Sequence, residues 1–164
     1  MPLSIIKLSR HHKIADFETT TPALTDYLKE KAGQHVRKSI SQVYVIVADD
    51  DPTKVLGYFS ITPRAPVPTV ELPSEYQKRL PHTVPAYTLG RLAVATGFQR
   101  QGIGEAMLVH AMELVLKAAK SVGGWGMFVD AKDEDAAAYY RQFGFKPLPS
   151  NPLTLFKTVD ELAR

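Results

Sequence analysis

The residues best suited to chemistry form two short runs, Leu89-Gly90-Arg91-Leu92-Ala93-Val94 and, after four residues, Gln99-Arg100-Gln101-Gly102-Ile103-Gly104. The first run reads as a strand end and the second as a Gly-rich turn that opens a helix. The first N–H groups of a helix have no partner within it, and the helix dipole favours negative charge there, so such a turn is built to meet an anion. Glycine lets the backbone approach a phosphate where a Cβ would clash. Arg100 adds a point charge beside it.

Three phosphate-binding designs compete for this turn. A P-loop needs Lys directly after its last glycine, and none follows Gly104. A dinucleotide fingerprint needs a third glycine where Met107 stands, and it belongs early in a βαβ unit. The pyrophosphate loop of acyl-coenzyme A enzymes, Gln/Arg-x-x-Gly-x-Gly/Ala, fits Gln99 to Gly104. On this stretch alone, a plain tight turn before a helix stays open as the alternative. One strand later comes Ala136-Ala137-Ala138-Tyr139-Tyr140-Arg141-Gln142-Phe143-Gly144-Phe145. Neighbouring tyrosines on a helix point about 100° apart, so one can reach a ligand while the other packs.

These two motifs together resemble the GNAT (Gcn5-related N-acetyltransferase) family. Phe17 through Leu28, Gly57-Tyr58-Phe59-Ser60, Leu89 through Val94 and Val129-Asp130-Ala131-Lys132 further resemble one branch, the GNAT toxins of bacterial type II toxin–antitoxin modules. Members of that branch often carry a cysteine after the Phe of the first segment; this chain has Thr19 nearby and no cysteine.

The resemblance implies direct transfer of an acetyl group from acetyl-coenzyme A to the α-amino group of aminoacyl-tRNA, which blocks translation. It implies that backbone groups of Leu92, Ala93 and Val94 hold the pantetheine arm, and that Gln99, Arg100, Gln101, Gly102, Ile103 and Gly104 hold the pyrophosphate. It assigns Tyr140, the second tyrosine of the pair, as the general acid for the departing thiolate. It also implies a ribbon-helix-helix antitoxin, a homodimer and a cytoplasmic location. The other readings are a GNAT enzyme acting on a protein N-terminus or a small amine, and a non-catalytic module that binds coenzyme A or nucleic acid.

Many family members place a Glu on the strand before the pyrophosphate loop as general base. Ala86 to Val94 holds no carboxylate. A lysine amine, with pKa about 10.4, needs a base far more than an α-amine, which starts at about 7.7–8.0. Esterification to a ribose removes the neighbouring carboxylate and lowers the amine pKa further. The missing Glu therefore fits aminoacyl-tRNA better than lysine. Glu71, Glu75 and His82 are the remaining candidates for a base elsewhere. Lys29, Lys31, Arg37, Lys38 and Arg91 are candidate contacts for tRNA phosphates, with Arg10, Lys13, Arg64, Lys78 and Arg79 as further basic positions. His11 and His12 are adjacent, so their side chains diverge. No histidine spacing suits a metal, and none is expected.

The elements that must position these residues follow from the patterns around them. The expected order is a strand over Leu3–Leu8, a short helix over Ile14–Phe17, and a helix over Pro22–Ala32 capped by Thr21 and ended by Gly33. Strands are expected over Val43–Ala48 and Val55–Thr62, then a proline-rich loop over Thr62–Pro73, a helix over Ser74–Leu80 and a strand over Tyr87–Ala95. Gly102–Lys120 reads as the longest helix, with Ile103, Met107, Ala111, Leu114, Val115 and Ala118 on one face. Trp125–Val129 is a strand, with Trp125 in the core; Asp133–Phe143 is a helix capped by Asp133 and stopped by Gly144; Phe145–Leu148 and Leu153–Thr158 are closing strands. The fold class is α/β (α+β): a mixed central sheet flanked by helices, with splayed parallel strands as the resemblance implies.

Composition agrees with one ordinary globular domain over residues 1–164. The chain is 45% hydrophobic and 23% charged, with a net charge of +3. This excludes a coiled coil, a collagen-like fibre and a disordered tail. No apolar run reaches the roughly 18 residues of a membrane span, and Met1 to Lys7 lacks the basic start of a signal peptide. A small positive surplus permits a polyanionic partner without requiring one.

Overall fold

The computed structural model describes residues 2–164. Strands β1 (Leu3–Lys7), β2 (Gln42–Ala48), β3 (Asp51–Pro68), β4 (Thr83–Val94), β5 (Gly126–Asp130), β6 (Lys146–Leu148) and β7 (Asn151–Thr158) form a mixed sheet in the order β1-β2-β3-β4-β5-β7-β6. The helices are α1 (Pro22–Glu30), α2 (Ala32–Arg37), α3 (Ile103–Val122), α4 (Glu134–Arg141) and α5 (Val159–Leu162). The described residues divide into two compact units, 2–62 with Gly90–Ala111 and Pro63–Leu89 with Met112–Arg164, so β3, β4 and α3 each run through both.

In the first unit β2 alternates as a half-buried strand must. Val43, Val45 and Val47 join Phe17, Tyr27, Leu28, Ala32, Val55, Tyr58, Ala93 and Ala95 in one core. Tyr44 turns the other way, stacking on Phe59 (5.2 Å) and meeting His110 of α3 (6.1 Å). Two glycines let β3 and β4 come close here. A Cβ on Gly57 would lie 2.8 Å from the Ala93 carbonyl oxygen, and one on Gly90 would lie 2.7 Å from Ser60 Oγ. In the second unit Phe128 and Phe156 stack at 5.6 Å within a core of Val67, Leu72, Val84, Ala86 and Leu148. Trp125 is only half-buried and packs against that cluster. The parallel pairing of β4 with β5 runs from Ala86↔Gly126 to Leu89↔Val129 and stops five residues before the end of β4. Along α3, Ile103, Met107, Ala111 and Val115 are buried as the periodicity predicts, while Leu114 and Ala118 are half-buried.

Four expectations fail for physical reasons. Ile14–Phe17 is no helix. Lys13 donates its N–H to Thr53 O (2.8 Å), and the chain makes only a single turn, with Phe17 N–H on Ile14 O (3.1 Å), too short to repay helix nucleation. Gly33 does not end the first helix. The break falls at Lys31, and Gly33 lies inside α2, which brings buried Ala32 and half-buried Val36 to the core. The expected proline-rich loop is strand as far as Pro68. Pairing with β2 ends at Ile61, so the later part of β3 has no ladder bond to lose on that side and tolerates proline. Ser74–Leu80 shrinks to a 3-10 turn, Ser74–Tyr76, because Arg79 takes a φ of +63° and Pro81 disfavours helix at the residue before it. Helix α5 was not expected at all, although Thr158 and Glu161 form a full capping box at its start. No helix of the described residues is long and apolar enough to cross a membrane.

Candidate active site

The segment after β4 is pinned before it is released. Ala95 N–H bonds to Leu56 O (2.8 Å), Thr96 N–H to Glu18 O (2.7 Å) and Phe98 N–H to Ala95 O (3.0 Å). Beyond that, Gln99, Arg100, Gln101 and Gly102 are all exposed. Arg100 has a φ of +64° and Gly102 of +78°. Positive φ at alternate positions is compatible with the backbone turn in which successive N–H groups form an anion nest. An L residue held there costs about 1–2 kcal/mol, so Arg100 is a strained position. A Cβ on Gly102 would meet nothing within 4 Å, so that side of the turn is open. Helical bonding resumes with Ala106 N–H on Gly102 O (3.0 Å), which leaves the amides of Ile103, Gly104 and Glu105 without an intrahelical acceptor. Leu92 and Val94 are half-buried and Ala93 is buried. The turn therefore fits a diphosphate, and it would do so through its backbone.

Helix α4 presents Tyr140. Asp133 caps the helix, accepting the Ala136 N–H at 2.9 Å. At the other end Phe145 N–H bonds to Tyr140 O (3.3 Å), Gly144 N–H bonds to Arg141 O (3.0 Å), and Gly144 takes a φ of +89°. This is a Schellman ending, and its usual apolar contact is Phe145 set edge-on to Tyr140 at 5.8 Å. The Tyr-x-x-x-Gly-Phe spacing thus fixes the tyrosine ring. Tyr140 is 9% exposed, yet its hydroxyl has no hydrogen-bond partner among the described residues. No fully buried side-chain N or O among those residues lacks a partner, so that hydroxyl keeps an opening. By contrast, the hydroxyls of Tyr27, Tyr58, Tyr76 and Tyr87 are all engaged within the protein. Burial, and secondarily Tyr139, pushes the Tyr140 phenol up to about 12, so it stays protonated at working pH. It is an acid with its proton unspent.

The expected substrate contacts separate into two kinds. Lys29, Lys31, Arg37 and Lys38 are exposed at the end of α1, at the break and at the end of α2, within ten residues of chain. Lys29 and Arg37 line a cavity of ≈ 490 Å³ together with Arg10, Glu30 and buried His12. Arg91 does not join them as a solvated cation; it is half-buried, and its guanidinium carbon lies 3.6 Å from the centre of the Tyr27 ring. Thr19 has a local task. Its hydroxyl donates to Thr21 O (2.8 Å) and accepts the Thr21 N–H (3.0 Å), which shapes the entry to α1. Thr21 stands at the N-cap position, but its side chain does not cap the helix. Glu71, Glu75 and His82 are all exposed. Among the described residues no group of three or more His, Cys, Asp or Glu is placed to hold a metal ion.

With this geometry in hand, the comparisons decide the family. Residues 41–147 match the family model described as an acetyltransferase (GNAT) domain. The chain belongs to the GNAT acetyltransferase family. It is 30% identical over 150 residues, 91% of its length and 87% of the other's, to a protein of Mycobacterium tuberculosis named tRNA-acetylating toxin. AtaT complexed with acetyl-methionyl-tRNAfMet superposes with a TM-score of 0.91 at 30% identity, covering 99% of this chain and 98% of that one. A tyrosine-to-phenylalanine mutant of AtaT bound to the C-terminus of the antitoxin AtaR and acetyl-CoA gives 0.82 at 28% identity, covering 99% and 96%. As a GNAT enzyme the chain is an N-acetyltransferase, and the seven-stranded mixed sheet is the fold of that family.

One cluster in this GNAT chain was missed by sequence reasoning. Arg64, expected only as a further basic position for tRNA phosphates, donates two hydrogen bonds to Asp130 (3.0 Å each) and one to Thr88 Oγ1 (3.2 Å), and it lies over the Phe128 ring. Thr154 donates to the same carboxylate (2.8 Å). The Arg64 guanidinium, helped by Thr154, holds the Asp130 carboxyl below the usual carboxylate range. Asp130 stood in a motif segment, but its partner is 66 residues away and left no local signal.

Proposed function

We propose that the protein is an acetyl-coenzyme A-dependent N-acetyltransferase of the toxin type, which acetylates the α-amino group of aminoacyl-tRNA and so blocks translation. The observation that carries this reading is the chemistry of β4. From Thr83 to Val94 the strand holds no carboxylate, so it offers no base for a strongly protonated amine. The amine it suits must arrive largely neutral, and an α-amine whose own carboxylate is esterified meets that condition. Near full-length likeness to AtaT complexed with acetyl-methionyl-tRNAfMet supports the same substrate.

Acetyl-coenzyme A brings a thioester carbonyl to be attacked. The backbone of Leu92, Ala93 and Val94 would hold the pantetheine arm, and the amides of Gln99 to Gly104, with Arg100 beside them, would hold the pyrophosphate. The amine nitrogen forms a bond to the carbonyl carbon, the C–S bond breaks, and Tyr140 Oη gives its proton to the departing sulfur. The nitrogen loses its proton to solvent, and the phenolate regains one. Lys29, Lys31, Arg37 and Lys38 supply charge for the acceptor-arm phosphates. The same reading includes a single N-acetyltransferase domain over residues 1–164, a homodimer in the cytoplasm, and neutralisation by an antitoxin of the ribbon-helix-helix type.

Induced expression in a bacterial host tests the reading. The wild-type chain is expected to stop growth and protein synthesis, and Tyr140→Phe, made at equal level, to relieve both. Arrest that persists with Tyr140→Phe, or acetylation confined to protein N-termini or small amines, would overturn it.

A further inference from the structure

Arg91 stands directly before Leu92-Ala93-Val94 on β4, and alternation along the strand puts it on the face that carries buried Ala93 and Ala95. Its guanidinium is stacked on Tyr27 of α1. That ring is a fixed platform. Tyr27 is 4% exposed, its hydroxyl meets His35 Nδ1 at 2.9 Å and Ser41 Oγ at 3.4 Å, and its ring lies near-parallel to Tyr58 at 6.2 Å. Arg64 and Arg141 each pair with a carboxylate, at 3.0 and 2.6 Å. Arg91 has neither a carboxylate nor a hydrogen-bond acceptor among the described residues. A half-buried cation without an acid partner is costly to keep. Stacking leaves the N–H groups in the guanidinium plane, and that fork matches two oxygens of a phosphodiester.

Resting on the aminoacyl-tRNA reading above, we propose that Arg91, held flat on the Tyr27 ring, positions the last phosphodiester of the acceptor strand, the one nearest the reacting amine. Its task differs from that of Lys29, Lys31, Arg37 and Lys38. Those exposed cations give affinity without geometry, so their removal raises KM. A guanidinium fixed beside the acyl strand gives geometry, so its removal lowers the rate at saturating substrate. Arg91 is thus a positioning residue, whose fork and stacking lysine cannot supply.

Single-turnover acetylation at saturating charged tRNA, run beside an amino-acid methyl ester that has the α-amine but no phosphate, tests this. Arg91→Ala is expected to slow charged tRNA by about 10- to 100-fold, and at least about tenfold more than it slows the ester. Arg91→Lys should restore only a minor part. Tyr27→Phe, which keeps the ring face, should retain more of the charged-tRNA rate than Tyr27→Leu. Equal losses on both substrates would show that Arg91 merely ties β4 to α1, and full rescue by lysine would show that any positive charge suffices; either overturns the proposal. Wild-type protein that acetylates the ester but not charged tRNA would overturn the aminoacyl-tRNA reading itself, and the proposal with it. Thermal melts identify a variant that fails to fold, and in that event the Arg91→Lys ratio between the two substrates decides.

Discussion

The turn at Gln99–Gly104 and the helix end at Tyr140 are built in opposite ways. The turn is exposed and offers mainly backbone, with positive φ values at Arg100 and Gly102 and amides that the helix leaves unused. Side chains matter there mainly by their absence. At Tyr140 the backbone only holds the ring, through a Schellman ending and Phe145, and a single oxygen remains to act. The first site should break when something is added, and the second when one atom is removed, in both cases without loss of the fold.

The largest expected effects come from breaking each site in its own way. Gly104→Glu puts a side chain and a negative charge at the start of α3, and acetyl-coenzyme A affinity by calorimetry should fall by about 100-fold, the scale of losing one or two hydrogen bonds to a charged group. Unchanged affinity would remove the pyrophosphate from this turn. Tyr140→Phe deletes only the hydroxyl. Its single-turnover rate should fall by about 100-fold, the low end for a positioned acid, because a thiol of pKa about 8.5 is a tolerable leaving group. Its melting temperature should stay within about 2 °C, since packing is conserved. Tyr139→Phe sharpens the contrast and should slow the reaction by no more than about twofold. If Tyr139→Phe is the slow variant, the assignment within the pair is reversed.

How far these two regions were legible follows from where their signals lie in the chain. The Gly-rich turn and the Asp133-to-Phe145 helix are local, with caps, breakers and spacing within a dozen residues, and both came through from sequence. The Arg91–Tyr27 stack and the Arg64–Asp130 pair join residues far apart in the chain, and side-chain type alone marked Arg64 and Arg91 only as basic positions for tRNA phosphates. The prolines of β3 misled because a proline's cost depends on whether the neighbouring strand is present, which is set by the sheet and not by the residue.

Smaller effects distinguish surface charge from built charge. Neutralising Lys29, Lys31, Arg37 and Lys38 together should raise KM for tRNA well above any change for acetyl-coenzyme A. It should also flatten the log–log salt dependence of tRNA binding by about 0.7–0.9 for each phosphate that no longer meets a cation. An unchanged slope would mark this face as merely solvated. Asp130→Asn should cost about 1 kcal/mol or less, because the Asp130 side chain is 56% exposed and water screens the pair. The Asp130 carboxyl titrates lower in the folded chain than in the unfolded one, so its contribution is complete above the ordinary carboxylate pKa and fades as pH falls through the folded value. The stability gap between wild type and Asp130→Asn should therefore close in acid, as denaturant melts at neutral and low pH would show.

The central claim, that the acceptor is the α-amine of a charged tRNA, has one direct measurement. Charged tRNA is incubated with the protein and acetyl-coenzyme A, then digested, and the terminal aminoacyl-adenosine is weighed by mass spectrometry. The mass of one acetyl group on the aminoacyl portion, present with the wild-type chain and strongly reduced with Tyr140→Phe, is the expected result. Aminoacyl-adenosine that stays unmodified while the protein turns over acetyl-coenzyme A on another amine would contradict the account.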